Sequence, residues 1–290
     1  MIKKKYDLNL ELLNDYSDVK HHIKSPMLAV FEFDDKKLLY LGTKHNLKDS
    51  RSPKTFYATN HCFDNFDIDF IVTECAHSNK LINYKNTFGA PDMNELIYAP
   101  LLGSQRKIKY AFIDSDEKDW FKDVVAVNKE NIKMMQAFFM LNDAYKYKQT
   151  FGKNFSIQNA IDNVVYKFWE KTYPDPMNKQ EFQRFFKQEF GFGVFDKNLS
   201  DILMKNPDWN EPNISGNIIN KAWSYINIYS RDIRMLKGIF NAVNKYKCVL
   251  VTIGAGHFDN QRRVLEQAFG KPTFFYNFPK SIRQDTKIQK

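Results

Sequence analysis

Short apolar runs rich in β-branched and aromatic residues alternate along this chain with longer segments of helical periodicity. This alternation restricts the fold more than any other feature, because strands separated by helices favour an α/β fold around a largely parallel central sheet. Only the polar turn residues 34–37 separate the first two runs, which indicates a β-hairpin and hence a mixed sheet. The predicted strands cover residues 27–33, 38–41, 67–73, 108–113, 248–253 and 273–276.

Helical patterns fill most of the intervals between these strands. Pro53 suits the first position of a helix, whereas Pro100 is expected to kink or end the helix around it. The segment 151–213 is rich in Phe, Lys and Gln and shows no β-alternation, so we predict an all-helical insertion or cap within a single domain over 1–290. Its aromatic residues predict either packed core or a lid over the site. The other predicted helices cover 53–64, 92–106, 128–147, 218–246 and 259–269.

The composition of the chain argues against several classes of protein. Apolar residues make up 43% and charged residues 27%, as in ordinary globular proteins. The net charge is +9, but basic and acidic residues are interleaved and no nucleic-acid motif appears, so we expect no specific nucleic-acid partner. No apolar run approaches the roughly 20 residues of a membrane span. Three separated cysteines without a CxxC pair argue against a disulfide framework or structural zinc, and we expect a cytoplasmic protein.

Polar residues follow four of the predicted strands. Gly42-Thr-Lys-His45 and Gly254-Ala-Gly-His257 are two G-x-x-H motifs, each at the end of an apolar run. Glu74 and Asp114 follow two other strands. Ligands of open α/β sheets bind past the carboxyl ends of the strands. The sequence therefore predicts one site formed by these four strand ends.

Two chemistries fit this set of residues. Imidazoles with carboxylates are common ligands of zinc, manganese or cobalt, and a bound metal would acidify a water. Without metal, a histidine could act as general base with a carboxylate to orient it. With metal, His45 and His257 are ligands and Glu74 is a third ligand or the base that activates water. Asp114 is either a further ligand or a helix cap. The candidate metal ligands are His45, His257, Glu74 and Asp114.

Arg231 and Asp232 precede the last G-x-x-H strand on a predicted helix. Arg231 could bind a carboxylate or phosphate of the substrate, or pair with the carboxylates at the strand ends. Asp232 could orient His257 or pair with Arg234. We expect both Arg231 and Asp232 to contribute to substrate binding.

Taken in order, these motifs resemble the TraB/PrgY/GumN and TIKI group of proteins, which carries paired G-x-x-H motifs at the two ends of its domain. The matching segments are Leu41-Gly-Thr-Lys-His45, Val72-Thr-Glu74 and Ile253-Gly-Ala-Gly-His257-Phe258. Ser230-Arg-Asp-Ile-Arg-Met235 is similar to the R-D-x-x-M segment of the related erythromycin-esterase and ChaN-like proteins, which share the overall fold.

The resemblance covers roughly 27–115 and 218–277, and one position departs from it. Where these families often continue the second motif as H-L-x-G, this chain has Phe258-Asp-Asn-Gln261. The resemblance implies an erythromycin-esterase/ChaN-like fold.

The branches of the group differ in activity. The TIKI branch contains proteases dependent on manganese or cobalt, the erythromycin-esterase branch uses a histidine base on a macrolactone, and the ChaN-like branch binds haem. The resemblance thus implies a metal-dependent hydrolase of an amide or ester bond in a small-molecule or peptide substrate, with Glu74, His45 and His257 as catalytic residues. A non-catalytic haem- or metal-binding protein and a metal-free histidine esterase stay open as alternatives.

Overall fold

The computed structural model describes residues 6–13, 16, 25–43, 53–74, 95–139, 142, 177–190 and 216–279. These residues form two compact units. The first contains the described residues up to Asp116, apart from Tyr16, and those from Arg231 onward. The second contains Tyr16 and the described residues between Glu117 and Ser230.

Strands and helices alternate as the apolar pattern predicts. The elements are, in chain order, a 3₁₀ turn (Leu10–Leu12), β1 (Met27–Phe33), β2 (Lys36–Thr43), α1 (Pro53–Asn65), β3 (Phe70–Thr73), α2 (Glu95–Gln105), β4 (Lys109–Phe112), α3 (Glu117–Val127), α4 (131–139), α5 (Lys179–Phe190), α6 (Ile218–Ile226), a π-helix (Asn227–Arg231), α7 (Asp232–Lys245), β5 (Cys248–Gly254), α8 (Ala255–Phe269) and β6 (Thr273–Phe275).

The six strands form one sheet in the order β4-β3-β5-β2-β1-β6. β4, β3, β5 and β2 are parallel, whereas β1 is antiparallel to both β2 and β6. The predicted α/β fold with a mixed, largely parallel sheet and an N-terminal hairpin is therefore confirmed.

Strand register brings the parallel strands to an end at one edge of the sheet. Thr73 of β3 pairs with Thr252 of β5 and with Phe112 of β4. Thr43 of β2 pairs with Gly254 of β5. The residues that follow these strands consequently begin side by side.

The inner strands β2, β3 and β5 are buried on both faces, which explains why they are nearly continuous apolar runs in the sequence. Every residue of β5 is buried. On one face, Ile239 of α7 and Phe258 of α8 belong to the cluster that covers the strands. On the other face, Cys62 of α1 and Ala99 of α2 do so.

Helix α2 continues past Pro100, so this proline does not end the helix, one of the two outcomes predicted for it. Proline lacks the N–H that would bond to the carbonyl four residues earlier, here that of Leu96. The hydroxyl of Thr73 donates to this carbonyl at 2.8 Å. A side chain from β3 thus satisfies the acceptor that Pro100 leaves open, and the helix can continue.

Two helix boundaries near the strand ends also differ from the predicted ones. The helix predicted over 218–246 is divided by the π-helix Asn227–Arg231, whose wider turn changes the direction of the side chains that follow. Helix α8 begins at Ala255 rather than at Asp259, so His257 lies in its first turn.

Helix α7 packs closely on the sheet, since a Cβ at Gly238 would overlap the side chain of Ile113.

The described part of the second unit is helical. Within the predicted insertion 151–213, the structure describes residues 177–190, of which 179–190 form α5. The backbone N–H of Asn178 bonds to the Glu181 carboxylate and that of Glu181 to the Asn178 side chain, which caps this helix. Phe182 and Phe186 are buried in the core of the unit, which favours packing over a lid for these two aromatic residues. None of the described helices is long and apolar enough to cross a membrane.

Candidate active site

Glu74 directly follows β3 and is buried at the sheet edge. Its backbone N–H donates to the carbonyl of Thr252 at 3.0 Å, which extends the pairing of β3 with β5. Its Oε2 accepts the N–H of Gly254 at 2.6 Å, immediately before α8. The N-terminus of a helix favours negative charge, so this position stabilises the ionised carboxylate.

Arg231 joins two of the strand ends. Its Nε lies 3.1 Å from Oδ1 of Asp114 and its Nη2 lies 2.9 Å from Oδ2, while Nη2 also donates to Oε1 of Glu74. Burial alone would lower the pKa of this guanidinium, but the two carboxylates outweigh burial and raise the pKa above its usual value. Asp114 additionally accepts the N–H of Ser115 at 2.8 Å. Arg231 therefore binds both carboxylates and offsets the repulsion between them.

His257 and Asp232 form a buried pair. Nδ1 of His257 lies 2.8 Å from Oδ1 of Asp232, and the two residues are 7% and 0% exposed. Nε2 lies 3.6 Å from Oε1 of Glu74, which is too long for a good hydrogen bond. Burial lowers the pKa of His257, but the charges of Asp232 and Glu74 prevail over burial and over the opposing charge of Arg231, and raise the pKa to about 9. His257 is consequently a cation at neutral pH.

Asn260 and Gln261, which the sequence did not point to, also contact Asp232. Nδ2 of Asn260 and Nε2 of Gln261 each lie 2.6 Å from a carboxylate oxygen of Asp232. His257, Asn260 and Gln261 stand at i, i+3 and i+4, which share one face of a helix. The predicted helix start at Asp259 excluded His257 and hid this spacing, which a start at Ala255 would have shown.

Five of the six predicted site residues meet at this edge, namely Glu74, Asp114, Arg231, Asp232 and His257. The sixth, His45, lies outside the described residues, although β2 leads to it. Within the described ranges, no group of three or more His, Cys, Asp or Glu side chains could hold a metal ion. The carboxylates of Glu74 and Asp114 bind Arg231 rather than facing a shared metal position, so the described residues as arranged do not fit a metal centre.

The chain was compared with models of known protein families, with curated proteins and with solved structures, and no match was found in any of the three. The resemblance to the TraB and TIKI group thus stays a prediction that rests on the motifs named above. The same holds for the erythromycin-esterase/ChaN-like form of the fold, whereas the α/β architecture follows from the strand order and register.

Proposed function

We propose that this protein is a hydrolase of an ester or amide bond in which His257 is the general acid–base and Asp232 holds its ring. The observation that carries the proposal is the 2.8 Å contact between Nδ1 of His257 and the buried Asp232, at the carboxyl ends of the parallel strands. A carboxylate on one ring nitrogen makes the other nitrogen, Nε2, the atom that takes up and releases the proton.

The reaction proceeds by proton transfer through Nε2. In its neutral form His257 takes a proton from a water as the water oxygen bonds to the carbonyl carbon of the substrate. The imidazolium then returns this proton to the leaving oxygen or nitrogen as the ester or amide bond breaks. Asp232 stabilises the imidazolium between these two steps, and Arg231 reduces the repulsion between Glu74 and Asp114.

Hydrolysis of defined probes tests this proposal. The full chain is assayed with p-nitrophenyl acetate, butyrate and octanoate and with a quenched-fluorescent peptide library, beside its His257→Ala variant. Turnover of at least one probe that depends on His257 supports the proposal. Folded wild-type protein that hydrolyses none of these probes would contradict it.

We expect kcat/KM to rise with pH and to level off above about pH 9. The active form of His257 is the neutral ring, and a pKa of about 9 leaves about one molecule in a hundred neutral at pH 7. Below this pKa, activity should therefore increase close to tenfold per pH unit. The measurement is kcat/KM from pH 6 to pH 10.5 on the best probe, with uncatalysed hydrolysis subtracted.

Circular dichroism at each pH is the control for folding. The raised pKa means that protonated His257 stabilises the folded state at low pH and that this contribution is lost as pH rises through about 9. A profile that is flat, or that falls between pH 7 and pH 9 in folded protein, would exclude His257 as the base.

The metal-dependent form of this hydrolase, with His45, His257 and Glu74 as ligands, is a second candidate. It is favoured by the register of β2 and β5, because the pairing of Thr43 with Gly254 ends the two strands of the G-x-x-H motifs side by side.

Chelation separates the two candidates. Because the carboxylates of Glu74 and Asp114 bind Arg231, we expect the wild type to keep its turnover after treatment with EDTA. Metal content is measured by mass spectrometry after incubation with manganese, cobalt or zinc. Near-stoichiometric metal that is lost in His45→Ala and His257→Ala, together with activity that requires it, would establish the metal-dependent form instead. A Soret band on haem titration would identify the haem-binding alternative.

A further inference from the structure

Asp232 is the centre of a buried network of hydrogen-bond donors. Its carboxylate accepts from Nδ1 of His257, Nδ2 of Asn260 and Nε2 of Gln261 at 2.6 to 2.8 Å. The network continues to β2, where the hydroxyl of Tyr40 donates to Oε1 of Gln261 at 3.1 Å. Asp232, Asn260, Gln261 and Tyr40 are each 0% exposed.

The donors and acceptors fix the direction of each group in this chain. A carbonyl oxygen can only accept, so Tyr40 must donate to Oε1 of Gln261, and the amide nitrogen then faces Asp232. Asp232 accepts from these three donors, which fix the orientation of its carboxylate. Because the carboxylate lies against Nδ1 of His257, this nitrogen keeps its proton in both states of the ring.

The orientation of Asn260 is unfavourable for the oxygen of its own side chain. Its Oδ1 is buried, and among the described residues no hydrogen-bond partner reaches it. A buried amide oxygen without a partner is destabilising. The orientation of Asn260 thus serves the contact of its nitrogen with Asp232.

We propose that Gln261, Asn260 and Tyr40 are positioning residues that fix the orientation of the Asp232 carboxylate and keep neutral His257 in the Nδ1–H form, with Nε2 available for proton transfer. The expected effect on turnover rests on the proposed function, whereas the expected effect on the protonated nitrogen of the His257 ring does not. The sequence after the second G-x-x-H motif, Phe258-Asp-Asn-Gln261, supplies the two amides.

Nitrogen NMR of the histidine rings tests the proposal directly. The full chain is labelled with ¹⁵N in its histidine rings and measured at pH 10, where His257 is mostly neutral. The His257 signals are assigned by their loss in His257→Ala. We expect the Nδ1–H form in the wild type and a mixture with roughly half Nε2–H in the Asn260→Ala/Gln261→Met variant.

Turnover gives the second readout. In the same double variant we expect kcat to fall about 10- to 100-fold with little change in KM, as when the outer partners of an active histidine are removed. Tyr40→Phe should change the ring form of His257 and kcat in the same direction as the double variant, but by a smaller amount. If the double variant does not fold, Tyr40→Phe provides the test, because it removes only a hydroxyl.

Tyr98→Phe is the matched control. It removes another tyrosine hydroxyl of the first unit, one that donates to Oδ1 of Asn60 at 3.0 Å, and should leave the His257 ring unchanged. Folded variants that keep the Nδ1–H form and the wild-type kcat would overturn the positioning role. If the variants change the ring form of His257 but the wild type hydrolyses no probe, the positioning role is supported and the proposed function is contradicted.

Discussion

His257→Ala should lower kcat/KM by about 10²- to 10⁴-fold, the range that a positioned acid–base group contributes to a reaction. The variant removes Nε2, through which the proposed proton transfer takes place. It leaves Asp232 with the donors from Asn260 and Gln261, so the buried carboxylate keeps hydrogen bonds and the chain should still fold. The measurement is kcat/KM on the best probe at pH 9, with the thermal midpoint recorded for the same sample.

His61→Gln is the control for a histidine outside the site. His61 lies on α1, and its ring packs against Phe278 with the centroids 5.6 Å apart. Its replacement should leave kcat/KM within about twofold, because surface changes away from a site have small effects. A His257→Ala protein that retained a third or more of the wild-type activity would show that His257 is not the acid–base group.

Arg231→Met should destabilise the protein by about 3–5 kcal/mol, as found when one partner of a buried ion pair is removed. The side chains of Glu74 and Asp114 are only 6% and 9% exposed and both contact Arg231. Without the guanidinium, two negative charges face each other in a poorly hydrated space. Urea unfolding at pH 7 measures the loss of the free energy of unfolding.

Arg262→Met is the matched control, because Arg262 forms an exposed pair with Glu266 four residues along α8. A surface pair of this type contributes about 0–1 kcal/mol. The triple variant Arg231→Met/Glu74→Gln/Asp114→Asn should recover much of the lost stability, since it also removes the negative charges of the two carboxylates. Equal losses in Arg231→Met and Arg262→Met would show that the buried charges are not held by Arg231.

The strands were predictable because their information is local. A strand that is buried on both faces must be largely apolar at successive positions. β5 is buried at each of its seven residues, and Thr252 is its one polar side chain. The predicted run 248–253 differs from β5 by one residue. The same pattern predicted β1 and the turn to β2. Because a hairpin makes these two strands antiparallel, it also predicted that the sheet is mixed.

The helix boundaries were less predictable because contacts from elsewhere in the chain decide them. Pro100 would have ended α2 in isolation, but the hydroxyl of Thr73 bonds to the carbonyl that this proline leaves open. Helix α8 starts directly after β5, and the N–H of Gly254, the residue before the helix, donates to Glu74. Neither partner stands near these helices in the sequence.

The α/β class and the residues that follow the parallel strands can be predicted from the sequence, because the periodicity of apolar residues and the polarity of strand ends are local properties. Which of these residues meet depends on the tertiary structure. Arg231 lies 157 residues from Glu74 and 117 from Asp114 along the chain. Their contact depends on β5 lying next to β3 and on α7 packing against both, and such long-range packing is a property of the whole folded unit rather than of any segment.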